Sequence, residues 1–595
     1  MSISQIIVPG KSGSGGYRQL VTLPGEPHVY IQGYVNNAYP ASRSVAPETT
    51  IIPADSPHPD PCETAGTVAG AYSSPINYPL IQKDGLIPIV AFVHITDMHI
   101  TDAQSPARAE YLSRLQYPVS RLVPIFKLIE AYRPQEPFTT HVLEAMCRSI
   151  RELGGGPATN LPLSFAISTG DAVEISQRNE LSWYTSLLDG NKKIVPNSGN
   201  PAQWEGVGGN TSYDRAYWHP DGTPTGHRPD IALSRYGFPV VPGILKAAIQ
   251  PFTSTGIGIP WYATIGNHDK LIGGFSRGTA LTSRIATGGY KLSLDALPWQ
   301  RVTRDPSRTI NFPTEWISAH FSSLACRSPD ASSSATPPGA TTYAEHSSGQ
   351  SRHKLWYAFD SGLLRCLILD TVNPWGGLEG SLDGEQLTWL ESELKNGSSQ
   401  WRRDDGTWIE TGLKDKLFML FSHHPFETLI NGYLPIRHRR RRIEAERRVL
   451  AYELLTLLSR TRNVILWLNG HTHIHKISFV TALNPEDNTH GIWQITTSSL
   501  IDWPQQARVI ELAIDKSANN LLVFSTVLDH AAPVDPRSGD LDDPLTLASW
   551  SRELAANHWI HRNDGFEPVG HGGCFDRNVI IRIPLRSNVH QLWKS

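Results

Sequence analysis

Five short apolar runs, each followed at once by a polar cluster, set the strongest limit on how this chain can fold. The runs are Ile87–Ile95, Leu163–Ser168, Ile259–Ile265, Leu417–Phe421 and Val464–Leu468. Runs of this length, rich in β-branched and aromatic residues and stopped by Gly, Asn, Asp or Ser, are typical of buried strands. The chain is therefore predicted to build its core on strands whose ends carry polar side chains.

Amphipathic helical patterns lie between these strands. Helices are predicted over Val142–Leu153, Leu382–Leu394 and Ala445–Ser459, the first of them ended by Gly154. The turn Asp360-Ser361-Gly362 between two apolar segments, Trp356–Phe359 and Leu363–Asp370, predicts an antiparallel hairpin. Strands that alternate with helices indicate an α/β fold of the layered α+β type, in which layers of helix pack on layers of sheet.

The strand series divides the chain into three parts. Residues 1–85, rich in Pro, Gly, Ser and Thr, are predicted to form an irregular N-terminal arm, 86–530 the main domain, and 531–595 a C-terminal extension that packs on the core. Two long stretches, about 176–258 and 271–352, interrupt the main domain. They are predicted to be elaborated loops over one end of the sheet, where substrate contacts usually lie.

Composition narrows the class of protein without naming a chemistry. The chain has 595 residues, is 39% hydrophobic and carries a net charge of −3, so nucleic acid is an unlikely main partner. No secretory leader and no apolar stretch of membrane-spanning length is visible, so we expect a cytoplasmic protein with no membrane contact. Five scattered cysteines, never in a C-x-x-C pair, argue against disulfides and zinc thiolates. The oligomeric state is left open.

Seven polar side chains at the strand ends are candidate metal ligands. They are Asp97, His99, Asp171, Asn267, His423, His471 and His473. Strand ends of an α/β sheet converge on one rim, where ligands bind. Imidazole, carboxylate and amide groups suit manganese, iron or zinc better than calcium or magnesium. Seven groups are too many for one ion but fit two ions about 3.5–4 Å apart, with one carboxylate bridging them.

The motifs DMH, GD, GNHD, a single His near Pro425, and GHTH, in this order, resemble the five sequence blocks of the calcineurin-like metallophosphoesterase superfamily. The resemblance covers about 87–500, and the segments PGEPHV, HITDMHITDAQSPAR and DHAAP are similar to a long bacterial, chiefly actinobacterial, branch whose substrate is unassigned. It implies a β-sandwich flanked by helices, with large loop insertions, and two divalent metal ions, with manganese favoured over iron or zinc.

The resemblance also implies a role for each motif residue. One ion would be held by Asp97, His99, Asp171 and His473, and the other by Asp171, Asn267, His423 and His471, with Asp171 shared. His423 is preferred to His424 because the family spacing His-x-Pro fits His423 and Pro425. Asn267 and His268 would bind substrate, and Asp269 would orient the His268 imidazole.

The expected reaction is hydrolysis of a phosphate ester, in which a hydroxide activated by the metals attacks phosphorus and His268 assists. Glu174 stands where purple acid phosphatases have a metal-binding Tyr, so a charge-transfer iron centre is not expected. GNHD is similar to cyclic-nucleotide and glycerophosphodiester phosphodiesterases, but it also occurs in monoesterases. The alternatives are such a diesterase specifically, then a nuclease, then a non-catalytic metal-binding scaffold.

Other polar and aromatic residues have weaker claims to function. Asp102 is expected to cap a helix, His94, His424 and Asp370 to be structural, and Trp183, Trp204 and Trp218 to be packing anchors. Glu174 and Asn179 are equally compatible with substrate or solvent contact. The basic run Arg437–Arg442 could grip an anionic substrate, but such runs are more often solvated helix starts.

Overall fold

The computed structural model describes the chain in segments. They are 51–52, 86–112, 131–209, 213–292, 299–311, 315–316, 320, 355–435, 446–481, 491–533, 535–558, 570–573 and 576–585. Most of the predicted N-terminal arm and the basic run Arg437–Arg442 lie outside the described residues.

The strands and helices of these segments are numbered here in chain order. The strands are β1 (Ile51–Ile52), β2 (Leu86–Ile95), β3 (Phe165–Ser168), β4 (Lys193–Ile194), β5 (Phe252–Thr253), β6 (Trp261–Ala263), β7 (Leu271–Ile272), β8 (Ser276–Arg277), β9 (Tyr290–Leu292), β10 (Trp299–Arg301), β11 (Tyr357–Ser361), β12 (Leu364–Ile368), β13 (Leu382–Asp383), β14 (Gln400–Arg402), β15 (Trp408–Glu410), β16 (Leu417–Phe421), β17 (Arg448–Val449), β18 (Val464–Asn469), β19 (Lys476–Thr481), β20 (Gly491–Thr496), β21 (Gln506–Asp515), β22 (Asn520–Asp529) and β23 (Val579–Pro584). The α-helices are α1 (Thr139–Leu153), α2 (Arg178–Asp189), α3 (Ile231–Tyr236), α4 (Ile244–Ala248), α5 (Asn267–Lys270), α6 (Ala280–Ala286), α7 (Gly384–Asn396), α8 (Ala451–Leu458) and α9 (Pro544–Asn557). Single 3-10 turns cover Glu136–Phe138, Pro306–Arg308, Phe426–Thr428 and Pro536–Ser538.

Two large sheets carry the fold. The first has the strand order β1-β23-β22-β21-β2-β3-β6, in which β2, β3 and β6 run parallel and the other neighbours are antiparallel. The second has the order β11-β12-β16-β18-β20-β19, parallel from β12 to β20 and antiparallel at both edges. The predicted mixed α/β fold is confirmed.

An aromatic core joins the two sheets face to face. The ring centroids of Phe92 and Phe421 are 6.0 Å apart, and those of Phe165 and Phe359 are 5.4 Å apart. All four rings belong to one buried cluster that takes residues from both sheets. Edge-on aromatic pairs of this kind each add about 0.5–1.5 kcal/mol beyond their burial. The sheets therefore form a sandwich.

Helices cover the outer face of each sheet. Side chains of β2 alternate, so Val90 and Phe92 point into the sandwich while Ala91 and Val93 pack under α1 and α2. On the other sheet, α7 and α8 pack against β12, β16 and β18. With both faces buried, the central strands are apolar throughout, which explains the unbroken runs in the sequence.

Most predicted elements match the structure closely. The five predicted strands correspond to β2, β3, β6, β16 and β18, and the hairpin to β11 and β12. Helix α1 ends where expected, because Gly154 takes the left-handed conformation at φ 63° and its N–H bonds to the Ile150 carbonyl.

Two predictions about elements are only partly right. The helix expected over Ala445–Ser459 begins only at Ala451, because Arg448 and Val449 pair with β13 as a short strand. The stretch 176–258, expected to be loops, opens with helix α2, whose Leu181, Tyr184 and Leu187 lie in the core beside α1.

The C-terminal part of the chain contacts the core through two elements. Strand β23 pairs with β22 at the edge of the first sheet, and helix α9 packs against α1. Among the described residues, no helix combines the length and apolarity needed to cross a bilayer.

Candidate metal centre

The candidate ligands sit at strand ends on one rim of the sandwich. Asp97 and His99 follow β2, Asp171 follows β3, and Asn267 follows β6 at the start of α5. His423 follows β16, and His471 and His473 follow β18. The two sheets meet here, since the His471 N–H donates to Asp97 Oδ2 at 3.0 Å. The structure thus brings all seven predicted ligands together.

The backbone at this rim is strained. Asp97, His99, Asp171, His471 and His473 are non-glycine residues with φ between 44° and 69°. That left-handed conformation is costly for residues with a Cβ, and it clusters at functional sites. Both ligands of the D-x-H pair and both ligands of the H-x-H pair have this conformation, so neither pair continues the extended strand that precedes it.

Glycines beside the ligands are required for space. A Cβ on Gly470 would lie 2.2 Å from Asp97 Oδ2, and one on Gly266 would lie 2.2 Å from Asp171 Oδ1. Both distances are far below contact distance, so the ligand carboxylates can occupy their positions only because these residues lack a side chain.

One group of donor atoms comes from four of the ligands. His99 Nε2 lies 3.2 Å from His473 Nε2 and 3.7 Å from Asp171 Oδ2. His473 Nε2 lies 3.3 Å from Asp97 Oδ1. Donor atoms about 2.0–2.2 Å from a common ion are separated from one another by roughly 3–3.5 Å, so this spacing fits a metal ion.

A second group lies next to the first. His423 Nε2 is 2.9 Å from Asn267 Oδ1, 3.2 Å from Asp171 Oδ2 and 3.2 Å from His471 Nδ1. Asp171 Oδ2 therefore belongs to both groups.

Hydrogen bonds behind the rings fix which nitrogen faces the centre. The Nδ1–H groups of His99 and His473 donate to Glu174 Oε2 at 2.6 Å and Asp502 Oδ2 at 2.7 Å, and that of His423 to the Thr169 carbonyl at 2.9 Å. These oxygens only accept, so each Nδ1 carries the proton. In the neutral rings each Nε2 then turns a lone pair toward the neighbouring donors, which suits a cation. The buried His, Asp and Glu groups could hold metal ions.

Electrostatics in the centre favour bound positive charge. Burial opposes ionisation of Asp97, but His473 and His423 hold its pKa at about 2. Burial likewise opposes protonation of His473, yet Asp97 and Asp502 raise its pKa to about 10. Burial and the nearby His423 lower the pKa of His471 to about 3. Ionised carboxylates thus lie beside imidazole groups. Their negative charge stabilises either protons on those imidazoles or a bound metal ion.

His268 lies at the edge of the donor groups. Its ring centroid is 4.6 Å from that of His99, its side chain is 15% exposed, and its backbone N–H donates to Asp171 Oδ1 at 2.8 Å. The ring is oriented by its Nδ1–H, which donates to the Glu174 carbonyl at 2.8 Å. Its position beside both groups makes it accessible to a bound molecule.

The predicted contact between Asp269 and His268 is wrong. Asp269 Oδ2 accepts the Gly266 N–H at 2.8 Å, and Oδ1 accepts the Val173 N–H at 3.0 Å. The carboxylate therefore caps the first turn of α5 and connects this turn to the loop after β3. Burial and the charge of Asp171 raise the pKa of Asp269 to about 7.

Glu174 is buried and is not exposed to solvent. Its side chain is 2% exposed and lies between His99 Nδ1 and Arg108 Nη1, each at 2.6 Å. It orients a candidate ligand, a role that the sequence reasoning missed. The available signal was its position three residues after Asp171, where purple acid phosphatases have a metal-binding Tyr. Asp502, which orients His473, lies in no motif and gave no signal.

Asp102 and Asn179 form a buried network of their own. Asp102 Oδ2 accepts from Asn179 Nδ2 at 2.7 Å and pairs with Arg308 Nε at 3.3 Å. Within the described residues Asp102 caps no helix, so that prediction is wrong. Asn179 is buried against Asp102 and is not exposed to solvent.

Three predicted structural residues have structural contacts. His94 bonds to Thr169 and Thr497 through its two ring nitrogens, and His424 bonds to the Thr371 hydroxyl and the Leu378 carbonyl. The His424 ring also lies near His471, and these two histidines and His423 form one of the groups that could hold an ion. Asp370 pairs with Lys270 at 2.8 Å.

The tryptophans of the first interrupting stretch serve packing. Trp183 lies in the core beside α1, and Trp218 and Trp204 pack in a separate cluster with Phe238 and α9. The prediction that they are packing anchors is confirmed.

The sequence matches no protein family model and no curated protein.

Proposed function

We propose that this chain is a metal-dependent hydrolase of phosphate esters that holds two divalent cations side by side. The supporting observation is the position of Asp171 Oδ2, 3.7 Å from His99 Nε2 in one donor group and 3.2 Å from His423 Nε2 in the other. A carboxylate shared between two donor groups is the arrangement of two-metal hydrolases.

We assign the residues to the two ions as the family resemblance implies. Asp97, His99, Asp171 and His473 would hold one ion, and Asp171, Asn267, His423 and His471 the other. When bound, the ions would supply an activated water near neutral pH and positive charge for the phosphoryl oxygens. The donor set of imidazole, carboxylate and one amide suits Mn²⁺, with Fe or Zn²⁺ as alternatives.

The chain's own groups complete the site. His268 is fixed by the Glu174 carbonyl at Nδ1 and is partly exposed, so its Nε2 can exchange a proton with the ester oxygen of a bound substrate. Asn267 and His268 would contact the phosphate. Two sheets packed face to face and flanked by helices support assignment to the calcineurin-like metallophosphoesterase fold.

The proposal is tested by assaying an aryl phosphate monoester and an aryl phosphate diester side by side, each with Mn²⁺, Fe²⁺, Zn²⁺ and Mg²⁺. We expect hydrolysis that chelators abolish. The ester that is hydrolysed faster decides between monoesterase and diesterase activity, and the GNHD pattern favours a diesterase. Asp171→Asn should lose at least a hundredfold in turnover because it removes the shared ligand charge.

The matched control is Asp360→Asn, an exposed carboxylate on the β11 hairpin that pairs with Lys416. It should keep wild-type turnover. A wild-type protein inert with every metal, or an Asp171→Asn variant as active as the control, would refute the proposed function.

A further inference from the structure

Two histidines of the same donor group are backed by buried carboxylates from distant parts of the chain. His99 donates to Glu174 and His473 donates to Asp502, and both carboxylates are 2% exposed. A carboxylate behind a metal-binding imidazole fixes its tautomer and its rotation. The position of this half of the centre therefore depends on what holds the two carboxylates.

A single arginine lies between those carboxylates. Arg133 Nε is 3.2 Å from Asp502 Oδ1, and its Nη1 is 3.8 Å from Glu174 Oε2. Nearby, Gln135 Nε2 donates to Asp502 Oδ1 at 3.0 Å. Both contacts are ion pairs and not hydrogen bonds, and a guanidinium, which is planar and always charged, can face two carboxylates at once.

Three ion pairs and one backbone hydrogen bond close into a buried ring. Arg108 pairs with Glu174 at 2.6 Å and also with Glu136, whose Oε1 accepts the Arg133 backbone N–H at 3.1 Å. All four side chains of the ring are at most 5% exposed. Because an unpaired buried charge is costly, each member restrains the others.

We infer that the segment Arg133–Glu136, which lies in none of the five motifs, is a positioning element for His99 and His473 and so for one of the two ions. This inference rests on the proposed function. The segment acts through Glu174 and Asp502 and contacts no ligand nitrogen itself. His423, in the other donor group, is held instead by the Thr169 backbone carbonyl. Loosening the segment should therefore affect the two ions unequally.

The test measures the affinity of each ion in three variants, Arg133→Lys, Gln135→Met and Asp502→Asn, by competition with a chromophoric chelator. Arg133→Lys and Asp502→Asn should weaken one ion by about 10–100-fold and leave the other within about threefold, since changes behind a ligand have effects of this size. Gln135→Met removes one hydrogen bond and no charge, so a smaller loss of a few-fold is expected at the same ion.

Two further measurements separate positioning from a general loss of structure. The visible spectrum of the Co²⁺-loaded protein reports ligand geometry, and it should change for one ion only. The matched controls are Arg365→Lys and Asp360→Asn, which should bind both ions as the wild type does. Arg365 lies on the second sheet and pairs with Glu393 of α7, and Asp360 pairs with Lys416. If Arg133→Lys does not fold, the Gln135→Met result decides.

The outcomes distinguish this inference from the proposed function. Variants that bind both ions with wild-type affinity and an unchanged Co²⁺ spectrum would overturn the positioning role, even if the wild type hydrolyses phosphate esters. Selective loss of one ion in a protein that hydrolyses no phosphate ester would support the positioning role and reject the proposed function.

Discussion

Five candidate ligands hold a backbone conformation that costs about 1–3 kcal/mol each for a non-glycine residue. The surrounding contacts enforce it. The His471 N–H bonds to Asp97 Oδ2, the Asp97 N–H to the Gly170 carbonyl, and the His99 N–H to the Asp171 carbonyl. At the scale of single residues, the centre is thus a set of strained turns that hold one another in place.

His268 should be separable from metal binding. It is fixed by backbone contacts and lies beside the donor groups, so His268→Ala should keep both ions and lose about 10²–10⁴ in turnover, the usual contribution of a proton-transferring group. Metal content by elemental analysis and kcat on an aryl phosphate check this. Loss of an ion in the variant would make His268 a ligand instead.

Sequence motifs predicted the ligands but not the groups behind them. Asp269 follows His268 directly, yet it occupies the third position of a short helix, where its carboxylate turns back to the Gly266 N–H. Glu174 reaches His99 across 75 positions and Asp502 reaches His473 from a loop with no motif. Local spacing cannot reveal contacts that only the packing of separate loops creates.

At the scale of elements, predictions succeeded where local pattern and burial agree. The apolar runs became strands because both of their faces are covered, and Gly154 ended α1 because it can adopt a left-handed conformation. They failed where a distant partner decides. Arg448 and Val449 carry a helical pattern but pair with β13, and α2 is recruited into the core by its contacts with α1.

Helix α1 contains a histidine that should make the fold sensitive to acid. His141 is buried beside Phe252, with ring centroids 5.0 Å apart, and burial lowers its pKa from 6.5 to about 3. Between those pH values the unfolded chain takes up a proton that the folded chain does not. Folding stability should therefore fall with decreasing pH, by about 1.4 kcal/mol per pH unit from this group.

The variant His141→Phe tests this contribution. As the pH falls from about 6.5 to about 5.5, its free energy of unfolding relative to that of the wild type should rise by about 1 kcal/mol, measured by chemical denaturation. His227→Phe, which changes an exposed histidine, is the control and should show no such gain. Equal pH dependence in His141→Phe and the wild type would contradict the assignment.

At the scale of the whole molecule, the centre is a junction between sheets. Four candidate ligands follow strands of the first sheet, namely Asp97, His99, Asp171 and Asn267. The other three follow strands of the second sheet, namely His423, His471 and His473. The donor atoms meet only because the aromatic core sets the sheets at one distance and angle. The sequence could supply the order of the motifs, but the closeness of the donors is a property of this packing.

The proposed pair of ions would lie close enough to share Asp171. Electron paramagnetic resonance of the protein loaded with two Mn²⁺ per chain reports this separation, because ions about 3.5–4 Å apart interact magnetically. We predict the spectrum of a coupled pair in the wild type, replaced by that of isolated ions or by loss of Mn²⁺ in Asp171→Asn. A wild-type protein that binds Mn²⁺ only as isolated, uncoupled ions would rule out a shared Asp171 ligand.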